Sequence, residues 1–366
     1  MPMTASKALA EPRAIAFFLP QFHPIPENDR WWGAGFTEWT NVMRAKPNFA
    51  GHLQPRVPSE LGYYDLRARD VLVRQASLAR EYGIYAFCYY YYWFDGKRLL
   101  ERPVEEMRAS GQPDFPYCLC WPNENWTRRW DGADHEILIA HVPSPENDMR
   151  LIRDLIPHFV DPRYVRVDGR PVFIVYRMGM LPDAAATTAL WRDVCRREGV
   201  GEIYLCAMKT YDTGNPIPAG FDALIEFPPH GARTPASNEW IDILNPDFRG
   251  KIIDYPKFVV DTLADERPVC RTHRTVMSGW DNTARRQNDA LTFIRATPEI
   301  YGVWLEEAAT RELRDNPAGA RLVFINAWNE WAEAAYLEPD ARYGRQYLSA
   351  TKRALQSAAD AVLVGD

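Results

Sequence analysis

The sequence predicts an α/β protein: one (β/α)8 TIM barrel in a single domain, with long connections after the first and sixth strands. Three observations predict it. Eight short apolar runs recur along the 366 residues. Stretches with helical periodicity lie between them, and aromatic, amide or charged side chains follow the runs directly. Runs that are apolar throughout suit strands buried on both faces, as parallel sheets require. Their alternation with helices points to a closed parallel barrel.

The strand-like runs are 14–19, 84–91, 117–120, 172–176, 203–208, 223–227, 274–278 and 322–327. Helical patterns cover 66–82, where Leu72, Ala76, Ala79 and Tyr82 share a face, then 146–159, 184–198, 297–316 and 346–363. Two connections are long. Segment 20–65 is rich in Pro, Trp and Asn, and segment 228–273 joins the sixth run to the seventh. Loops of this length in a compact domain are usually functional. Residues 1–12 read as a loose tail and 13–366 as the catalytic domain. An open doubly wound sheet is the alternative, but it would place its site at a strand-order reversal. No Gly-rich nucleotide turn marks one here; Gly33-Ala-Gly35 lacks the third glycine.

Composition narrows the function. A net charge of −6 provides no basic field for a phosphate backbone, which excludes nucleic acid as a partner. No apolar run reaches the ~18 residues of a membrane span. The first 13 residues lack a basic start followed by an apolar stretch. Six cysteines show no zinc-type spacing and read as buried reduced thiols, so the expected compartment is the cytoplasm. No metal and no cofactor is expected. With 13 Trp, 18 Tyr and 16 Phe, the chain is rich in rings; any one of them reads first as core packing, but flat rings also suit the apolar faces of sugars.

In a barrel, chemistry sits at the C-terminal strand ends. After the first run come Gln21 and His23, and further along the loop Glu38 and Trp39. Tyr92 and Trp93 follow the second, and Trp121, Asn123, Glu124, Asn125 and Trp126 the third. Arg128, Arg129 and Asp131 come next, as substrate contacts or as an ion-pair network. Arg177 follows the fourth run, and Lys209 and Tyr211 the fifth. Glu226 ends the sixth before His230. Trp280, Asp281 and Asn282 follow the seventh, and Trp328, Asn329, Glu330, Trp331 and Glu333 the eighth. Trp is costly to leave on a plain solvated loop, and Asn and Glu are costly to bury unpaired. Such mixed clusters suit a cleft that stacks on rings and hydrogen-bonds hydroxyls. The run Tyr89–Tyr92 alternates across its strand, so half of it belongs to the core.

Glu330 and Glu333 are the candidate catalytic pair. Glycoside cleavage needs one carboxyl group to protonate the leaving oxygen and another to act as base or nucleophile. Two carboxylates held close repel, and one pKa rises. The competing reading is a solvated i,i+3 pair at a helix start. Placement after a buried strand, between Trp328 and Trp331, favours the site.

At these residues the sequence resembles a known group. Leu19-Pro-Gln-Phe-His-Pro24, Gly35-Phe-Thr-Glu-Trp39, Trp121-Pro-Asn-Glu-Asn-Trp-Thr127, Gly279-Trp-Asp-Asn282 and Trp328-Asn-Glu-Trp-Ala-Glu333 are similar to WbsX-type glycosyltransferases of bacterial polysaccharide loci. Those resemble in turn glycoside hydrolase family 99, the endo-α-mannosidases and endo-α-mannanases. The resemblance implies a (β/α)8 barrel and a retaining, metal-independent reaction on a carbohydrate. It implies Glu330 as base on the sugar 2-hydroxyl, through a 1,2-anhydro intermediate, and Glu333 as general acid, then base. Ala334-Ala335-Tyr336 departs from the hydrolases' Gly/Thr-containing continuation.

Two other functions stay open at this stage. One is a nucleotide-sugar glycosyltransferase of O-antigen or surface-polysaccharide assembly, disfavoured by the lack of Asp-x-Asp and of a phosphate turn. The other is a carbohydrate-binding protein without catalysis, which would keep the rings and need no carboxylate pair.

Overall fold

The computed structural model describes residues 11–128, 133–210, 214–264, 268 and 270–365. Nearly all of the expected tail, together with Arg129, Asp131 and Tyr211, lies outside the described residues.

All eight predicted strands form. They are β1 (Arg13–Phe18), β2 (Ile84–Tyr90), β3 (Tyr117–Trp121), β4 (Arg170–Val175), β5 (Tyr204–Met208), β6 (Ala223–Ile225), β7 (Thr272–His273 and Thr275–Met277) and β8 (Leu322–Asn326). Each pairs in parallel with its sequence neighbours, and β8 returns to β1 with Ala14 opposite Val323. The cylinder closes through β7, whose two pieces face different ways. Thr272 and His273 pair with β6, and Thr275–Met277 with β8. At the break, Glu312 accepts the Arg274 backbone N–H at 2.6 Å, so no buried donor is left over.

Aromatic rings fill the barrel. Phe17 packs on Tyr90, Phe324 and, edge-on, Phe227, with centroids 5.2–5.8 Å apart. Tyr90 and Phe227 also face the mouth, so the top layer of the core is the floor of a cleft.

The predicted helices form as Arg69–Glu81, Pro145–Phe159, Ala184–Arg197, Pro298–Asp315 and Gln346–Gly365. Strict eightfold alternation needs one correction. Between β5 and β6 the described residues hold only a single 3₁₀ turn, Ile217–Ala219. Gly214, Pro216, Pro218 and Gly220 break any longer helix there.

The two long connections are not simple loops. The first contains α1 (Pro26–Trp32) and α2 (Glu38–Arg44). Thr37 and Thr40 cap α2 reciprocally. The second contains the strand Lys251–Asp254, which pairs in parallel with Leu291–Ile294 from the segment after β7. This small sheet stands beside the barrel mouth. No helix among the described residues is long and apolar enough to cross a membrane.

Candidate active site

The chain after β8 turns back at once. Asn329–Glu330 pairs antiparallel with Ala335–Tyr336, and Trp331–Glu333 forms one 3₁₀ turn between them. Side chains three apart eclipse on a 3₁₀ turn. Glu330 and Glu333 therefore project to one side, over the barrel mouth.

They meet there on a single guanidinium. Arg285 donates from Nη2 to Glu330 at 2.9 Å and pairs through Nη1 with Glu333 at 2.7 Å. Its Nε donates to Glu38 at 2.7 Å. Glu38 is fully buried at the start of α2. Arg285 sits on the short helix Thr283–Arg286, which Asn282 precedes. Asn282 ties that helix down: its side chain accepts from Leu291 N–H at 2.8 Å. Asp281 N–H donates to the Glu333 carbonyl at 2.7 Å, joining the loop after β7 to the hairpin after β8.

The electrostatics follow from burial. Glu330 is only 5% exposed. Loss of water pushes its carboxyl up to about 8; Arg285 opposes this, while Glu333 and Glu38 add to it. Arg285 is held charged well above its ordinary range by the three carboxylates, against the cost of burial. Tyr90 and Tyr92 are pushed well above the ordinary phenol range, chiefly by burial and then by Glu330. At neutral pH they are intact O–H donors.

Around this cluster lies a cleft of about 400 Å³, within the ~300–1,000 Å³ of ligand pockets. Of the residues expected from sequence, Gln21, Tyr92, Glu124, Asn125, Trp126, Trp280, Asn282, Glu330 and Glu333 line it. The Gln21 amide nitrogen is buried without a protein partner on this wall. Trp126 packs edge-on against Tyr92 at 4.9 Å. Glu124 pairs with Arg177, so it is partly committed to the scaffold. Arg128, the described part of the basic run beside it, pairs with Glu136 at 2.8 Å.

The remaining expected residues are not on the cleft wall, and each has a structural reason. Trp328 is wholly buried against Phe87. Trp331 donates its indole N–H inward to Glu338 at 2.7 Å and stacks on Tyr336. Asn329 holds Leu19. Trp39 donates to the Tyr64 carbonyl at 2.8 Å. Trp121 donates to the Trp93 carbonyl, and both rings are core. Asn123 bridges the Arg177 backbone from both sides. Glu226 pairs with Arg274 at 2.7 Å. His23 is buried and lowered to about 4, chiefly by loss of water. Asp281 accepts from His52 and Gln54, each at 2.7 Å. Glu38 reaches the cluster only through Arg285.

Sequence reasoning missed Arg285, Arg286, Tyr90, Tyr176 and Trp32, all of which line the cleft. His230 lines it too, opposite Tyr176 at 3.3 Å. It missed Glu338, which is buried behind the hairpin and accepts from Trp331, Tyr64 and Gln75. Arg285 and Arg286 follow the Trp-Asp-Asn motif closely, and that position was the available signal.

Comparison with known proteins agrees with this architecture. Two WxcX proteins, from two strains of Xanthomonas campestris pv. campestris and described as uncharacterized, are 47% identical over 348 residues, 94% of this chain. The chain spans about half (50%) of their length. Among solved structures, a GH99 endo-alpha-mannosidase from Bacteroides thetaiotaomicron is similar with a TM-score of 0.61 at 14% identity, covering 96% of this chain and 98% of that one. A glycoside hydrolase-like protein follows at 0.59 and 15%, covering 97% of each chain. At such identities the likeness speaks to the fold, a GH99-like barrel. The family described as Glycosyltransferase WbsX matches residues 14–351, and the chain belongs to that family.

Proposed function

We propose that residues 13–366 form a carbohydrate-active enzyme that cleaves or transfers glycosidic bonds of a bacterial oligosaccharide or polysaccharide, with retention of configuration and with carboxylates as its only chemical groups. The observation that carries this reading is the pair Glu330 and Glu333, gripped by one guanidinium on the floor of a cleft walled by indoles and phenols.

Glu330 acts as the base. Its raised pKa makes the ionised form a strong acceptor for the proton of a sugar 2-hydroxyl. As that proton leaves, O2 closes on C1 to form a 1,2-anhydro sugar. Glu333 gives its proton to the departing glycosidic oxygen. Glu333, now a carboxylate, takes a proton from water or from an acceptor hydroxyl, whose oxygen opens the three-membered ring at C1. Glu330 then returns its proton to O2. Two inversions at C1 leave the configuration retained. Water as acceptor gives hydrolysis and a sugar hydroxyl gives transfer, by the same steps. Arg285 offsets the charge of whichever of Glu330 and Glu333 is ionised at each step, and Gln21, Asn125 and Trp126 supply hydrogen bonds and a stacking face.

The test is product analysis on bacterial surface polysaccharides, run with and without nucleotide sugars. New reducing ends or re-joined oligosaccharides without any nucleotide sugar are the expected result. Products that form only when a nucleotide sugar is present would overturn it.

A further inference from the structure

A second cleft of about 440 Å³ lies behind the carboxylate hairpin, and Trp280 is on the walls of both. Its other walls come from the long connection after β1, from the segment after Leu291, and from the chain following the hairpin. The proposed chemistry uses none of them.

Its most informative residue is Arg56. The guanidinium is largely buried, with its side chain 19% exposed. A buried cation needs a close, hydrogen-bonded counter-charge. The nearest carboxylate oxygen is Asp281 Oδ2 at 3.9 Å. That oxygen already accepts from His52 and Gln54, each at 2.7 Å. Arg56 Nε has no partner, although the guanidinium also reaches the Tyr336 hydroxyl. The other carboxylate on this wall, Asp340, is also taken up. It accepts from the Tyr336 hydroxyl at 2.8 Å and from the backbone N–H groups of Arg342 and Tyr343 at 3.0 and 2.6 Å. Arg342, exposed at the rim, lies over the Tyr343 ring at 5.1 Å. Tyr336, Tyr343 and Tyr347 supply rings along the same wall. The cleft thus offers at its back a guanidinium whose ion-pair partner, Asp281, stands off at 3.9 Å and is shared with His52 and Gln54, a second positive charge at its rim, and flat surfaces between.

We propose that this second cleft binds an anionic sugar residue, whose carboxylate or phosphate group lies on Arg56. Because Trp280 is common to both clefts, the bound residue is a further unit of the glycan held at Glu330 and Glu333, a link that rests on the function proposed above. Binding to the second cleft itself does not require turnover, so its test is separate.

Calorimetric titration of the intact protein with glucuronate, glucose 1-phosphate, glucose and inorganic phosphate decides it. Glucuronate or glucose 1-phosphate should bind at least tenfold more tightly than glucose and than inorganic phosphate, and which of the two binds better identifies the anionic group. Arg56→Gln should weaken that binding tenfold or more, while Arg56→Lys stays within threefold. Arg342→Ala, at an exposed position where folding is not at stake, should weaken it about threefold. Glu333→Gln should bind the same probe unchanged. Equal binding of glucose would overturn the proposal, as would inorganic phosphate binding as tightly as the sugars. So would full binding by a folded Arg56→Gln protein, no effect of Arg342→Ala, or loss of binding in Glu333→Gln, which would put the ligand in the first cleft.

Discussion

Asn329 clasps the backbone of Leu19 from both sides: its Oδ1 accepts the Leu19 N–H at 2.7 Å and its Nδ2 donates to the Leu19 carbonyl at 3.0 Å. This bond pair fixes the residue before Glu330 to the end of β1. Removing it by Asn329→Ala leaves two buried backbone groups unsatisfied. A loss of about 2–4 kcal/mol in unfolding free energy is expected, read by urea denaturation. Activity should fall further than stability accounts for, because Glu330 loses its anchor.

Glu333→Gln removes the transferable proton while keeping shape and most hydrogen bonding. The expected result is a fall in kcat of about 10²–10⁴-fold with an unchanged circular dichroism spectrum. Unchanged turnover would take Glu333 out of the chemistry and favour a protein that only binds sugar.

The pH profile tests whether Glu330 takes part in the chemistry. With Glu330 held at about 8 by burial, only its ionised form can act as base. The rate should therefore rise with pH through about 8, for as long as Glu333 keeps the proton it gives to the leaving oxygen. In Glu330→Gln the limb near 8 should be absent from any residual activity.

Arg285→Met should be costly in a way a single broken ion pair is not. Glu38 is fully enclosed and would keep a charge with no counter-charge. A destabilisation of about 3–5 kcal/mol follows from stranding a buried charge, measured by thermal or urea unfolding. Glu330 should also titrate higher still, since Arg285 is what holds it down.

Glu338 offers a test through stability alone. Burial raises its carboxyl to about 7, partly offset by hydrogen bonding from Trp331, Gln75, Tyr64 and Trp328. A carboxyl raised in the folded state contributes stability below its unfolded pKa, and that contribution is lost as pH rises through the folded value. The protein should thus lose stability between about 4.5 and 7. Glu338→Gln should remove that part of the slope. It should also cost no more than about 1 kcal/mol, because the partners can still be satisfied. The Gln75 oxygen is buried without a partner, and an amide flip would turn it toward the new N–H. Differential scanning calorimetry across this range measures both effects.

Much of the barrel was legible because its strands are buried on both faces, which leaves an unbroken apolar run in each. The elements that escaped are short or capped by context. The strand Lys251–Asp254 is four residues long and gains a partner only from Leu291–Ile294, beyond β7. Within the site, Glu330 and Glu333 were legible from spacing and position. Arg285 was not, since its meaning comes from three glutamates on two other segments. Trp328 and Trp331 were expected to flank the sugar. A buried acceptor changed the outcome for Trp331: Glu338 satisfies its indole N–H from behind, so that ring can turn into the core.

The divided seventh strand has a consequence for the whole mouth. At Arg274 the carbonyl still accepts from Phe324 of β8 at 2.8 Å, but the N–H is stitched by a carboxylate from the helix Pro298–Asp315. Trp280, Asp281 and Arg285 all rise from the chain just past that stitch. Beside the ties made by Asn329, Asn282 and Asp281, the three-glutamate clamp thus leans on Glu312 as well. A change at that acid should be felt at the clamp as slackness before it is felt as unfolding.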